Sequence, residues 1–345
     1  MNILHDGDAG HPHETKMSRA DYRLGMSRCV HVALWTHQPL LGAPMSPLVY
    51  WHVDVFANRP LAGNGLAIFP DASGLPVSTQ QKLTQELRQY ESIFLEPRAQ
   101  ANTFGARIFT MEEELPFAGH PLIGAAALLH HQHGQAEQES WRVELSEKTV
   151  TLMTHRAATG YYAEMDQGLA QWGCQLDQAQ SQWFAHAFSL RLRDLDADYP
   201  PMVVSTGLPY LILPVKGSQL GRARIAAQDL EARLHGIGAA FVYVLDVERG
   251  EGRSWDNAGL VEDIATGSAA GAAAAYLVRH GCQGAGKPFV IHQGGFTGRP
   301  SQMDVSVDEQ GAVRVGGHVH LLSRSECVVE LRVRQTAEGS SHHVS

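Results

Sequence analysis

FAGHPLIGAAALLHHQHG runs from Phe117 to Gly134, and IATGSAAGAAAAYLVRHG runs from Ile264 to Gly281. The two stretches align at a constant offset of 147 residues. Ala118 then matches Ala265, Gly124 matches Gly271, His133 matches His280 and Gly134 matches Gly281. Each opens on small and polar residues and continues as a run of Ala, Leu and other apolar residues, with no charge before its last turn. A helix that is apolar all round must be buried on every side. The repeat therefore predicts two similar domains, each built around a central helix, near 119–132 and 267–280. The N-terminus of each helix offers free backbone N–H groups, which is a site for an anion.

Working outward, the segments around these helices read mostly as short strands. LVYWHVDVF is rich in β-branched and aromatic residues, and the folded part starts there, at Pro47. ANRPLAGNG is turn chemistry and LAIFP a second strand. TQQKLTQELRQY reads as a helix capped by Ser78, with Leu83, Leu87 and Tyr90 on one stripe. SIFLEP, FGARIFT, WRVEL, VTLMT and GYYAEM follow as strands. Residues 166–182 are rich in Gln and Gly and read as a linker. MVVSTGLPYLILPV, AAFVYVLDV, FVIHQGG and MDVSVDEQGAVRVGGHVHLLS continue the pattern, the last with a hairpin at Asp308–Gly311. Many strands around few helices, twice over, is α+β rather than a regular βαβ alternation. The expected division is a loose extension over 1–47, a first domain over 48–165, the linker, a second domain over 183–335 and a disordered tail over 336–345.

The totals narrow the function classes. A chain of 345 residues can bury two sizeable cores. A net charge of −9 disfavours nucleic acid and acidic membrane as partners. No apolar run is long enough to span a bilayer. The extension makes a poor signal peptide, since its start is not basic and its apolar run is short; Met17, Met26 and Met45 are alternative starts. Cys29, Cys174, Cys282 and Cys327 are scattered without a C-x-x-C pair, as suits a reduced, cytoplasmic protein. His130, His131 and His133 have no acidic or thiol partner nearby, so no metal site is expected. They complement the dipole at the helix end. GAGK lacks the first Gly of a phosphate-binding loop and its final Ser/Thr, and no dinucleotide fingerprint is present, so no cofactor is expected.

Taken in order, VDVFANRPLAGNGLAIF, LTQELRQYESIFL, RIFTMEEELPFAGHPLIGAAALL, VSTGLPYLILPV, VEDIATGSAAGAAAAYL and GRPSQMDVSV resemble the PhzF-like family of phenazine-biosynthesis isomerases. The likeness covers Tyr50 to Leu331. It implies the diaminopimelate epimerase fold: two domains related by a pseudo-twofold axis, each a curved mixed sheet wrapped around its central helix, with the active site in the cleft between them. It implies a cofactor-independent isomerase that moves a proton on a small carboxylic acid, dihydro-hydroxyanthranilate or a related compound. A homodimer is expected. Two alternatives stand beside it: a non-catalytic binding member of the fold, and an amino-acid epimerase or racemase without thiols.

The same resemblance assigns roles. A lone Glu is usually solvated surface, but Glu91 matches the family's acid/base glutamate. That task needs a pKa raised well above the ordinary carboxylate range. His120, between Gly119 and Pro121, reads as a helix cap by itself and as a cleft histidine by resemblance. Asp263 suits a helix N-terminus electrostatically and becomes a catalytic partner across the cleft. Ser268 is an N-cap or a residue facing substrate. Gly119, Thr266, Gly267 and Ala269 are expected to offer backbone N–H groups to a carboxylate, and Asn64 is a turn residue or a substrate contact. Three departures stand out. Neither helix opens on the cysteine of diaminopimelate epimerase-like enzymes, which argues against a thiol racemase. The usual S-E-T is Tyr90-Glu91-Ser92, and the proline of E-D-P-A-T-G-S is Ile264, which is expected to loosen the turn.

Overall fold

The computed structural model describes residues 47–328 and residue 331. The expected tail, and the extension up to residue 46, lie outside the described residues. The chain first forms β1 (Val49–Val55), β2 (Asn64–Phe69), α1 (Val77–Leu87), β3 (Glu91–Pro97), β4 (Thr103–Thr110), β5 (Glu114–Leu115) and α2 (Gly119–His133). Then come β6 (Gln138–Glu144), β7 (Thr149–Arg156), β8 (Tyr161–Leu169), β9 (Gln171–Gln175), α3 (Gln178–Ala187), β10 (Met202–Ser205) and β11 (Pro209–Val215). The rest is α4 (Gly217–Leu220), α5 (Leu230–Gly236), β12 (Phe241–Asp246), β13 (Glu251–Trp255), β14 (Glu262–Asp263), α6 (Gly267–Arg279), β15 (Phe289–Gln293), β16 (Ser301–Val307) and β17 (Ala312–Glu326).

The fold is α+β, and its pairings close a ring. β1 pairs with β2, then in turn come β3, β4, β6, β7, β8 and β17, which returns to β1. Two of these contacts are parallel, β2 with β3 and β4 with β6. A parallel pair needs a crossover. The first crossover contains α1; the second contains α2, which packs against β1, β2, β3, β6, β7, β8 and β17. The second half repeats the order around α6, with parallel pairs β11–β12 and β13–β15. β17 belongs to both halves. It pairs along Ala312–Val319 with β8, and its two ends pair with β16 and β1.

The linker reading of 166–182 is corrected here. These residues are the end of β8, all of β9 and the start of α3, whose N-cap Asp177 forms a capping box with Gln180. β9 pairs with β10 much as the end of β17 pairs with β1. Every residue of β9 is exposed, so it has no apolar face to betray a strand. The Ser78 cap is also corrected: α1 starts two residues earlier than expected, at Val77 after Pro76, without a side-chain cap. It ends at Leu87, because Arg88 turns into the left-handed region at φ 51°. Leu83 and Leu87 pack on Phe69, Phe94 and Phe109. Tyr90 falls beyond the helix and leaves their stripe.

Both central helices are buried, from Gly119 to His130 and from Gly267 to Leu277. The repeated glycines explain the close packing. A Cβ on Gly124 would stand 2.6 Å from Leu66 Cδ2 and 2.9 Å from Val55 Cγ2; one on Gly271 would stand 2.9 Å from Thr206 Oγ1. Overpacking of that kind costs about 1–3 kcal/mol. The histidines near the end of α2 serve packing. His130 Nδ1 lies 2.8 Å from Thr154 Oγ1, His131 is edge-on to Trp51, and His133 stacks on Phe104.

Candidate active site

The two central helices meet at their N-termini. A Cβ on Gly119 would lie 3.2 Å from the Ser268 backbone nitrogen and 3.3 Å from the Gly267 carbonyl carbon, so any other residue there would have to move the helix starts apart by a few tenths of an ångström. The first turn of each helix has N–H groups without intrahelical acceptors. Gly119, Gly267 and Ala269 lie in these first turns, and all three are buried. Thr266 departs from its expected role. Its N–H donates to Gln293 Oε1 at 3.2 Å and is not available to a ligand.

Around this junction the fold gathers the acids. Glu91 opens β3 instead of ending a helix, so no helix dipole opposes it. It is 6% exposed, and its Oε2 lies 3.2 Å from Nδ1 of His120, which is 4% exposed. Glu91 Oε2 has no well-aligned hydrogen bond, and His120 Nε2 has no partner among the described residues. Burial, and then the charge of Asp263, hold the Glu91 carboxyl well above its usual range. Burial lowers the His120 imidazole to about 3. The close Glu91–His120 contact is therefore a neutral acid beside a neutral imidazole, not an ion pair. Both groups lose more from desolvation than one charged contact returns.

Asp263 is equally buried but better supplied. Its Oδ2 accepts from Thr266 Oγ1 at 2.5 Å, and its Oδ1 accepts from Asn64 Nδ2 at 2.9 Å and the Ala265 N–H at 3.4 Å. Burial raises its pKa, while these bonds and one from the Ile264 N–H oppose the rise. Ile264 thus does not loosen the turn as expected. It brings a donor that a proline lacks, and Gln293 clamps the turn by donating to the Asp263 carbonyl at 2.8 Å and to Thr266 Oγ1 at 2.9 Å. Asn64 joins the halves, reaching Asp263, the Ala265 carbonyl at 3.1 Å and His120 Nδ1 at 3.5 Å.

Ser268 lies in the same cluster, with its Oγ 2.8 Å from the hydroxyl of Tyr210. Tyr210 is buried, and that burial pushes its phenol upward, so it stays protonated. Thr206 and Gln167 brace the start of α6 from outside, through the Ser268 and Gly267 carbonyls. The sequence reading did not single out Tyr210 or Gln293; the available signal was the STGLPY string for the first. Gln293 also lines an open cavity of about 510 Å³ with Arg59, Arg249 and His292. Neither Glu91 nor His120 lines it, so its volume does not mark the chemistry. Among the described residues, no group of three or more His, Cys, Asp or Glu is placed to hold a metal, and no helix is long and apolar enough to cross a membrane.

This arrangement can exchange protons with a bound molecule. One carboxyl keeps its proton, another is held by several donors, and helix N-termini lie alongside. The trans-2,3-dihydro-3-hydroxyanthranilate isomerase of Pseudomonas fluorescens is 32% identical over 264 residues, 74% of this chain and 88% of that protein. A solved structure described as a predicted epimerase of Pseudomonas aeruginosa is 58% identical, with TM-score 0.80, covering 82% of this chain and all of that one. A probable proline racemase of Agrobacterium radiobacter shares the fold at 13% identity and TM-score 0.53, covering 82% of this chain and 93% of that one. Residues 53–324 match the family described as phenazine biosynthesis-like protein. With its residues 53–324 matching that family and relatives named as isomerases over most of its length, this chain belongs to the phenazine biosynthesis-like protein family and is an isomerase.

Proposed function

We propose that this protein shifts a proton along a small carboxylic acid, without a cofactor, using Glu91 as the carrier. The observation that carries the reading is the pairing of a buried, proton-holding Glu91 with His120 and a hydrogen-bonded Asp263 from the other half. The substrate carboxylate binds at the N–H groups of Gly119, Gly267 and Ala269, where the helix dipoles favour an anion. In its ionised form Glu91 is a stronger base than an ordinary carboxylate, because its environment raises its pKa. Glu91 first gives up the proton it holds at rest, and the carboxylate so formed then takes a proton from an activated C–H. The freed electron pair moves into the neighbouring double bond, and Glu91 returns the proton to the far end of that three-carbon unit. One C–H bond breaks and one forms, the double bond moves by one position, and nothing is oxidised. His120 and the Ser268–Tyr210 pair donate to the charge that develops on the substrate. Asp263 orients the substrate through the frame of Asn64 and Thr266.

The substrate class follows the relatives named trans-2,3-dihydro-3-hydroxyanthranilate isomerase. The test is a proton NMR time course in heavy water with that compound and a panel of small carboxylic acids, with Glu91→Gln as the control. Deuterium entering a carbon position together with a moved double bond, in the wild type alone, is the expected result. A folded protein that exchanges nothing across the panel refutes the reading. A second reading, epimerisation, is favoured by the description of the 58%-identical structure. It gives the opposite enantiomer from an optically pure acid, with the double bonds in place.

A further inference from the structure

The strand that carries Asp263 has little ladder of its own. β14 is two residues long and pairs with β13 at Ser254 and Trp255. Neighbouring residues of a strand face opposite ways, so Glu262 turns away from the junction that Asp263 enters. There it meets Arg253, which is 2% exposed. Arg253 Nε donates to Glu262 Oε1 at 2.8 Å and Nη2 donates to Oε2 at 2.6 Å, the two-pronged contact that suits a guanidinium. Nη1 donates to the Leu220 carbonyl at 3.0 Å and to the Ala223 carbonyl at 3.1 Å. The guanidinium carbon also lies 4.5 Å from the ring centres of both Trp255 and Phe296. Phe296 follows Gln293 by three residues, and Gln293 clamps the other side of the Asp263 turn. One side chain thus ties β13, β14, the end of α4 and the turn after β15 together beside the acid.

The first half carries the same pair in a weaker form. Glu114 opposes Phe109, two residues after Arg107, as Glu262 opposes Trp255, two residues after Arg253. Each Glu stands five residues ahead of the start of its central helix, Gly119 or Gly267. Arg107 Nη2 lies 2.6 Å from Glu114 Oε2, but these side chains are 43% and 34% exposed, and the residue after Glu114 is Leu115. Only where the next residue is Asp263 is the pair buried and joined to other elements. A buried ion pair is a poor source of stability, because desolvation offsets its attraction. What it supplies is a fixed geometry.

We propose that the Arg253–Glu262 pair is the positioning device for Asp263. It locks the two-residue strand in register, so that the carboxylate meets Asn64 and Thr266 in a single arrangement. Arg253 and Glu262 touch no substrate; they act through the turn. A turn that shifts misplaces the acid and slows turnover, while the helix starts still hold the substrate carboxylate.

The part of the pair in turnover rests on the proposed proton shift, so the test reads the turn separately from the reaction. The double variant Arg253→Met/Glu262→Leu removes the pair and leaves no buried charge behind, a change that folds often tolerate. Arg253→Lys keeps the charge and loses the fork, and serves if the double variant fails to fold. Arg107→Met/Glu114→Leu makes the same change in the first half as the control. Backbone hydrogen exchange, read by mass spectrometry, is expected to quicken by about tenfold over residues 262–267 relative to α2, in both second-half variants and not in the control. With trans-2,3-dihydro-3-hydroxyanthranilate in heavy water, kcat for deuterium entry is expected to fall by about 10²-fold at unchanged KM. The double variant is expected to unfold in urea at the wild-type midpoint, which a merely stabilising pair would not allow. An unchanged turn in folded variants overturns the inference, as does a loosened turn with unchanged kcat or an equal effect from the control. A turn that loosens as expected in a protein whose wild type exchanges no deuterium would sink the proton shift and leave the hold of the pair on Asp263 standing.

Discussion

Replacing Glu91 by Gln separates its protonation in the fold from its part in turnover. The carboxyl is 6% exposed and has one close polar neighbour, His120 Nδ1 at 3.2 Å. Burial first, then Asp263, lift its pKa well above the ordinary 4.5. Between 4.5 and the raised value, the unfolded chain carries a charge at Glu91 and the folded one a proton. Folding takes that proton up. The stabilisation is complete below pH 4.5 and is lost as pH rises through the folded pKa. Across that window wild-type stability falls by about 1.4 kcal/mol per pH unit from this group. Gln resembles the protonated acid in shape and takes up no proton. The stability of Glu91→Gln relative to the wild type therefore climbs with pH for as long as the pH lies inside that window. His120, lowered to about 3, titrates with the opposite sign: its stabilisation is present above 6.5 and is lost as pH falls toward 3. It is present in both proteins and cancels in the difference.

Urea unfolding of both proteins, from about pH 5 to about pH 8, reads the slope directly. Activity should fall by about 10²–10⁴-fold in the variant at every pH, the usual worth of a general acid/base. A stability difference that stays flat across the range would mean that Glu91 is charged in the fold. The reading of a proton held on Glu91 at rest would then fail, even with the rate loss in place.

Two further substitutions test the frame around it. Ile264→Pro restores the family's usual residue but deletes an N–H that supports the Asp263 carboxylate; the acid limb of the kcat/KM–pH profile should move to higher pH, and an unmoved limb would remove Asp263 from the titration that controls rate. Gly119→Ala puts a methyl 3.2 Å from the Ser268 backbone nitrogen; a loss of about 1–3 kcal/mol in thermal or urea unfolding is expected, together with weaker carboxylate binding, and a variant as stable and as avid as the wild type would show that the two helix starts need not touch.

The repeat made the centre of this fold legible. The expected helices near 119–132 and 267–280 correspond to Gly119–His133 and Gly267–Arg279, because a charge-free apolar run has only one place to go. Glu91, His120, Asp263, Ser268 and Asn64 all fall at the junction, which the order of motifs anticipated. What stayed hidden depends on pairing across the chain. β9 looked like a linker because all its residues are exposed, and only β10 makes it a strand. Tyr90 looked like part of a helical stripe because the spacing of Leu83 and Leu87 continues to it, while the turn at Arg88 has no sequence marker such as glycine. Tyr210 and Gln293 act through hydrogen bonds to residues 58 and 27 positions away, and no local pattern encodes these.

The same burial acts on both acids, yet they do not end in the same state. Desolvation raises Glu91 and Asp263 alike, so by itself it would leave two neutral acids. The difference lies in the donors. Asp263 sits in a turn that aims the Thr266 hydroxyl, the Asn64 amide and backbone N–H groups at its oxygens. Glu91 has the single imidazole. Each donor favours the charged form, so the negative charge settles on Asp263 and the proton on Glu91. The resident charge on Asp263 then raises Glu91 further, which makes the split self-reinforcing. Fold and chemistry meet here: Glu91 comes from the first half and Asp263 from the second, and Asn64 bonds across the junction to the turn that holds the second acid. Thiol pairs at two helix starts would make a symmetric device from the same fold. With no cysteine at either start, the two halves differ instead in how many donors each supplies, and that asymmetry gives one acid the proton and the other the charge.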